Sequence, residues 1–232
     1  MGVSPRALAL LAVAFVSAAP TWADERAVRR ALDAASVVVI TTGCAGAVAE
    51  NPQIVVTARH CVDGDRLRVK LSNGAVRTAW LLAANQASDQ AVLFLEEPSG
   101  IAPLPLVRRP QIPGTVLYFE GNPVKPRFQS ARLDRLGRCP SLPDLPDALF
   151  TSIEGVPGDS GAPLVDGAGR IVGLVHGGAR CHIATPSGSL ARLVDRVLER
   201  DVRSELTAVG REPVTPPAEC RGDASSRRAP RG

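Results

Sequence analysis

The sequence predicts an all-β protein built in two antiparallel halves and closed by a C-terminal helix. Three observations carry this expectation. The 232 residues include 21 glycines and 20 prolines, whereas aromatic residues make up only 3%; glycine plus proline at about 18%, against roughly 12% in average usage, implies frequent turns and a core of small aliphatic side chains. Eleven short apolar runs recur at spacings of about ten residues, with turn residues between them and no helical pattern linking consecutive runs, which argues against a parallel sheet. From Ser189 the period changes, and Leu190, Leu193, Val194, Val197, Leu198 and Val202 mark one face of a helix ending near Gly210.

The elements follow in chain order. Asp24 to Ser36 is charged, with apolar residues at Ala27, Val28, Ala31, Leu32 and Ala35, the pattern of a short amphipathic helix. The runs Val37 to Thr41, Ala47 to Ala49, Ile54 to Ala58, Arg66 to Leu71, Val76 to Ala83 and Ala91 to Glu96 read as strands of the first half. Breaks at Asp63-Gly64 and Asn73-Gly74 are turn signals. The proline-rich segment Pro98 to Pro113 joins the halves, placing one domain over 37–110 and the other over 111–188. Thr115 to Phe119, Phe128 to Leu133, Leu149 to Ile153, Ala162 to Val165 and Ile171 to Val175 are the strands of the second half. Beyond the helix of 189–210, residues 211–232 are rich in Pro, Arg, Ser and Gly and carry the composition of a disordered tail.

With 45% hydrophobic and 22% charged residues the chain is too apolar for a disordered protein. Its N-terminus has the form of a secretory signal peptide: Arg6, an apolar run from Ala7 to Ala19, and small residues at Thr21 and Ala23 that suit cleavage after Ala23. The run falls short of the roughly 17 to 25 residues that span a bilayer. The mature protein is therefore expected to be secreted or periplasmic and free of the membrane, where disulfides persist. The formal charge of +4 divides along the chain. Arg6 belongs to the leader, the tail carries five arginines against Glu212, Glu219 and Asp223, and the body between carries a net +1. That distribution gives no support to nucleic-acid binding.

Three local sequences carry chemistry: Thr57-Ala58-Arg59-His60-Cys61 after a strand, Ser88-Asp89-Gln90-Ala91-Val92-Leu93 opening a strand, and Gly158-Asp159-Ser160-Gly161-Ala162-Pro163 between two strands. In this order and spacing they resemble the trypsin- or chymotrypsin-like serine peptidases, over nearly all of the chain from Val37 to the C-terminal helix. The resemblance implies two six-stranded antiparallel β-barrels meeting at a cleft, with the helix packed outside. It implies a serine endopeptidase working through an acyl-enzyme on a protein or peptide substrate, with no cofactor and no metal. His60 would be the general base, Asp89 its orienting carboxylate, Ser160 the nucleophile, and the amides of Gly158 and Ser160 the oxyanion hole. The residue types suit that chemistry, because a serine hydroxyl attacks only when a neutral imidazole takes its proton, and the imidazole needs a carboxylate to fix its tautomer. Chain order excludes an α/β-hydrolase, in which serine precedes the acid and the histidine. The alternative from another class is a catalytically silent, peptidase-like binding module.

The resemblance also brings expectations about cysteines, activation and specificity. Cys44 and Cys61 bracket the His60 loop as the family's histidine-loop disulfide does, a closure of about 17 residues that the chain-entropy account values at about 3 kcal/mol. Cys139 with Cys181 is the favoured second pair, leaving Cys220 in the tail. No Ile-Val-Gly-Gly-like segment precedes Val37, so the expectation is maturation without an inserted N-terminus and a different donor for Asp159. The specificity pocket would be walled by Thr151 to Pro157, Val175 to Gly178 and a further strand at His182 to Thr185. Glu154 at its base would select Arg or Lys, whereas His176 or His182 beside Gly177 and Gly178 would suit acidic side chains. Both remain open from sequence, as does the reading of Glu154, His176 and His182 as solvated loop groups or strand filler.

Overall fold

A computed structural model describes residues 24–121, 126–176 and 182–208. Helix α1, Glu25–Ala35, is capped by Asp24, whose Oδ1 accepts the Arg26 N–H at 3.0 Å. Six strands follow: β1 Ser36–Val39, β2 Ala45–Val48, β3 Ile54–Ala58, β4 Arg66–Leu71, β5 Val76–Asn85 and β6 Gln90–Leu95. Six more form the second half: β7 Val116–Gly121, β8 Arg127–Gly137, β9 Ala148–Thr151, β10 Pro163–Val165, β11 Ile171–His176 and β12 Ile183–Pro186. Helix α2, Ser187–Ala208, ends the described chain.

Each half is a closed antiparallel barrel, the first in the order β1-β2-β3-β6-β5-β4. Read from β7, the second runs β7-β8-β9-β12-β11-β10, the same order with every strand number raised by six. Closure comes from β1 on β4 and from β7 on β10, and it removes the open edges that invite aggregation.

Burial patterns explain why these residues make barrels. Strand β4 alternates exposed and buried positions, with Leu67, Val69 and Leu71 pointing into the first barrel. Strand β3 is buried at all five positions. Val55 joins the interior of the first barrel, while Ile54 and Val56 face outward into a separate apolar cluster. That outer cluster is the seam: Val28 and Leu32 of α1, Tyr118 and Val165 of the second barrel, and Leu190, Val194 and Val197 of α2 all belong to it. A fully buried side chain of this size is worth about 1.5–3 kcal/mol, so the two helices act as seals over the line where the barrels meet. Polar groups lock the same line. Gln90 of β6 donates from Nε2 to Thr185 Oγ1 at 3.0 Å and to the Pro186 carbonyl at 2.9 Å, and its Oε1 accepts from Ser189 Oγ at 2.7 Å.

Several bounds depart from the sequence expectation for physical reasons. Strand β5 runs to Asn85 and β8 to Gly137, because bulges between Leu81 and Ala83 and between Leu133 and Arg135 shift the side-chain alternation that the sequence pattern follows. Ile183–Pro186 adds a twelfth strand to the eleven apolar runs. Helix α2 begins two residues before the expected start at Ser189, at Ser187, whose Oγ donates to the Val107 carbonyl at 2.6 Å. The expected signal segment, the tail, and residues Gly177, Gly178, Cys181 and Cys220 lie outside the described residues.

Candidate active site

The first barrel contributes a histidine and a carboxylate held on adjacent segments. Strand β3 ends at Ala58 and runs into a short 3-10 turn, Arg59–Cys61, that carries His60. Asp89 stands immediately before β6 with φ 49°, in the left-handed region that aspartate tolerates better than most residues. That conformation lets one residue grip the turn at several points. Its carbonyl accepts the Arg59 N–H at 3.1 Å, and its Oδ1 accepts the His60 N–H at 2.9 Å. Its Oδ2 lies 2.7 Å from His60 Nδ1. The Cys44–Cys61 disulfide, expected from the resemblance, pins the other end of the turn.

A second imidazole reaches the same oxygen. His176, at the end of β11, places its Nδ1 2.7 Å from Asp89 Oδ2, and its ring meets that of His60 edge-on with centroids 5.1 Å apart. Burial alone would push the Asp89 carboxyl up; the hydrogen bonds from His176 and His60, the His60 amide and the His60 charge outweigh it and hold the group well below the usual carboxylate range. An ionised carboxylate only accepts, so both imidazoles present Nδ1–H to it. In the neutral form of His60 this leaves Nε2 as the bare, proton-accepting nitrogen, on a side chain 42% exposed.

The second barrel contributes the loop between β9 and β10. Gly158 and Gly161 both take positive φ, 98° and 83°, and between them Asp159 and Ser160 are buried. The loop is fastened to the first barrel: the Ala45 N–H donates to the Ser160 carbonyl at 2.9 Å. Gly161 sits where a Cβ would collide with the Ala45 carbonyl oxygen and Thr57 Oγ1, and Thr57 Oγ1 itself donates to the Ala45 carbonyl at 2.7 Å. Only glycine permits this approach. Asp159 Oδ2 accepts from Arg127 Nη2 at 2.9 Å and from the Val156 N–H at 2.7 Å.

A family model described as the trypsin-like peptidase domain matches residues 36–174. The chain belongs to the trypsin-like peptidase family. Compared with curated proteins, it matches none. The twin barrels are thus those of a trypsin-like peptidase, and the Ser160 carbonyl lies 3.8 Å from Cys61 Sγ, beside the turn that carries His60.

Of the residues expected to shape the specificity pocket of this peptidase, Glu154, His176 and His182 are among the described residues. Glu154 is exposed, and its carbonyl accepts from Arg127 Nη2 at 3.2 Å. His182 is exposed, and its carbonyl accepts the Thr151 N–H at 3.2 Å. His176 turns its Nδ1 to Asp89, so that nitrogen is not offered to a substrate. Cys139 is disulfide-bonded, and the two cysteines not yet accounted for, Cys181 and Cys220, lie outside the described residues. Arg127 was not singled out in the sequence; it is one of three arginines in β8, beside Arg132 and Arg135, and nothing local sets it apart from them.

Proposed function

We propose that this peptidase is a secreted serine endopeptidase in which Ser160, His60 and Asp89 hydrolyse peptide bonds through an acyl-enzyme. The observation that carries the reading is the double grip of Asp89 on His60, through the backbone N–H at 2.9 Å and Nδ1 at 2.7 Å, which fixes the tautomer with Nε2 bare. In the first step Ser160 Oγ attacks the scissile carbonyl as its proton passes to His60 Nε2. The Gly158 and Ser160 amides stabilise the oxyanion, a contribution on the order of 100- to 1000-fold in rate for one donor. The imidazolium, held by the Asp89 carboxylate, then returns its proton to the departing amine, and the acyl-enzyme is hydrolysed by water activated at the same nitrogen.

Two further features support a form that matures without an inserted N-terminus. Arg127 supplies Asp159 with a cation, the role an inserted amino group fills in other branches of the resemblance. Cleavage after Ala23 leaves Asp24, which is occupied as the cap of α1. Exposure of the oxidised chain beginning at Asp24 to a fluorophosphonate probe tests the reading directly. Labelling of the wild type that disappears in Ser160→Ala is expected; no labelling of folded, disulfide-bonded protein would instead favour a silent binding module.

A further inference from the structure

Peptide hydrolysis needs one imidazole on the Asp89 carboxylate, and this site has two. Asp89 Oδ2 receives His60 Nδ1 and His176 Nδ1, each at 2.7 Å. These two nitrogens and the carboxylate oxygen all lie within 4.8 Å of one another. The set is chemically specific: two imidazole nitrogens and one carboxylate oxygen, with a fourth position open, is the donor set of three-ligand zinc sites. Hard cations such as Ca²⁺ and Mg²⁺ call for several oxygens instead. The cluster is buried at Asp89, half-buried at His176 and open at His60, whose side chain is 42% exposed against 14% for His176 and 7% for Asp89, so an ion can enter from the cleft. The neighbouring group of Cys44, His60 and Cys61 offers no such site, because its sulfurs are tied in a disulfide.

We propose that His60, Asp89 and His176 form a binding site for a zinc-type divalent cation that switches the peptidase off. With bonds of about 2.0–2.1 Å to nitrogen and oxygen, tetrahedral ligands stand farther apart than the hydrogen-bonded 2.7 Å, so each imidazole draws back slightly as the ion replaces the bridging protons. The proton balance is simple. Each neutral imidazole gives up its Nδ1 proton and takes one at Nε2, with no net release, while both Nδ1 lone pairs pass to the metal. His60 then carries its proton on Nε2, the nitrogen that must be bare to accept the one from Ser160. Inhibition therefore comes from the wrong tautomer behind the imidazole, and the substrate cleft itself is left unblocked. The inhibitory consequence rests on the proposed function; the binding site does not.

The test uses the oxidised chain beginning at Asp24, as wild type, Ser160→Ala, His176→Ser and His176→Asn, the last keeping an N–H donor for Asp89. Zinc binding is measured by equilibrium dialysis and Co²⁺ binding by its visible absorption, with thermal unfolding to confirm that each variant is folded. One zinc per chain is expected for wild type and Ser160→Ala, with affinity at least tenfold weaker in both His176 variants. Zinc should abolish fluorophosphonate labelling of the wild type, a chelator should restore it, and Ca²⁺ or Mg²⁺ should leave it unchanged. Equal zinc affinity in wild type and folded His176 variants, or no zinc bound by the wild type, overturns the proposal. Zinc binding that depends on His176 in a chain that never labels would uphold the site and defeat the peptidase reading.

Discussion

Arg127 Nη2 donates to Asp159 Oδ2 at 2.9 Å, pairing a side chain that is 38% exposed with one that is fully buried. The contact joins the first residue of β8 to the residue before Ser160, and the same guanidinium nitrogen reaches the Glu154 carbonyl at 3.2 Å. One arginine therefore fixes both ends of the turn that aims the Ser160 loop. Removing it leaves a buried carboxylate supported, among the described residues, by the Val156 amide alone. Such orphaned charges typically cost on the order of 2 kcal/mol or more. Arg127→Ala is expected to lower kcat/KM at least tenfold, with partial recovery in Arg127→Lys. If the variant matches wild type on a peptide substrate, the pairing has no part in shaping the loop.

Local grammar made much of this molecule legible. The His60, Asp89 and Ser160 segments are short and contiguous, and eleven of the twelve barrel strands announce themselves by composition and turns. What stayed hidden is non-local. The Arg127–Asp159 pair spans 32 residues, and His176 meets Asp89 across 87, separations at which no periodicity or spacing speaks. The alternation along β11 says which face His176 occupies, but only the docking of one barrel on the other decides what that face meets. Strand β12 escaped the pattern because its four residues, Ile183–Pro186, end in a proline that reads as a break.

Glu120 of β7 predicts an inverted pH dependence of stability. Burial first, then the Asp33 carboxylate as acceptor for the protonated Glu120 and as a like charge, push its carboxyl up to about 7, against the opposing pull of Arg29 at 3.5 Å. An acid whose folded value exceeds its unfolded value of 4.5 binds more protons in the folded state between the two. Stability should therefore fall as pH rises from about 4.5 to about 7, with the penalty complete above that window. Glu120→Gln should flatten this step and stabilise the protein at pH 8 by on the order of 2 kcal/mol. Urea melts of both proteins across pH 4 to 8 check it, and parallel curves would reject the assignment.

Gly161 and Gly169 separate two costs of losing a glycine. Both lie in the left-handed region, at φ +83° and +72°. A methyl group at Gly169 meets nothing within 4 Å, whereas one at Gly161 collides with the Ala45 carbonyl, Thr57 Oγ1 and the Ala58 amide nitrogen. Gly169→Ala should cost about 1 kcal/mol, the backbone penalty alone, and keep full probe labelling. Gly161→Ala should cost at least about 2 kcal/mol more, because backbone on the facing barrel must give way, and should slow labelling by displacing Ser160. Equal melting temperatures for the two variants would contradict the close approach.

Asp89→Asn isolates tautomer control from folding. Asparagine tolerates the left-handed φ of 49° as well as aspartate does, and it is nearly isosteric, so the barrel should close normally. Its amide can present one oxygen and one N–H where the carboxylate presents two acceptors. If the N–H turns to His60 Nδ1, the imidazole must keep its proton on Nε2 and can no longer take one from Ser160. A loss of about ten-thousand-fold in kcat is expected, with KM little changed. Stability gives an independent readout. The wild-type carboxyl is held below its ordinary value in the folded state, so its contribution is present above about pH 4 and is lost as pH falls through the lower folded value. The stability gap between wild type and Asp89→Asn should accordingly narrow in acid and hold constant above about pH 6; a gap that persists unchanged to pH 2 would mean that the imidazoles do not hold an ionised carboxylate.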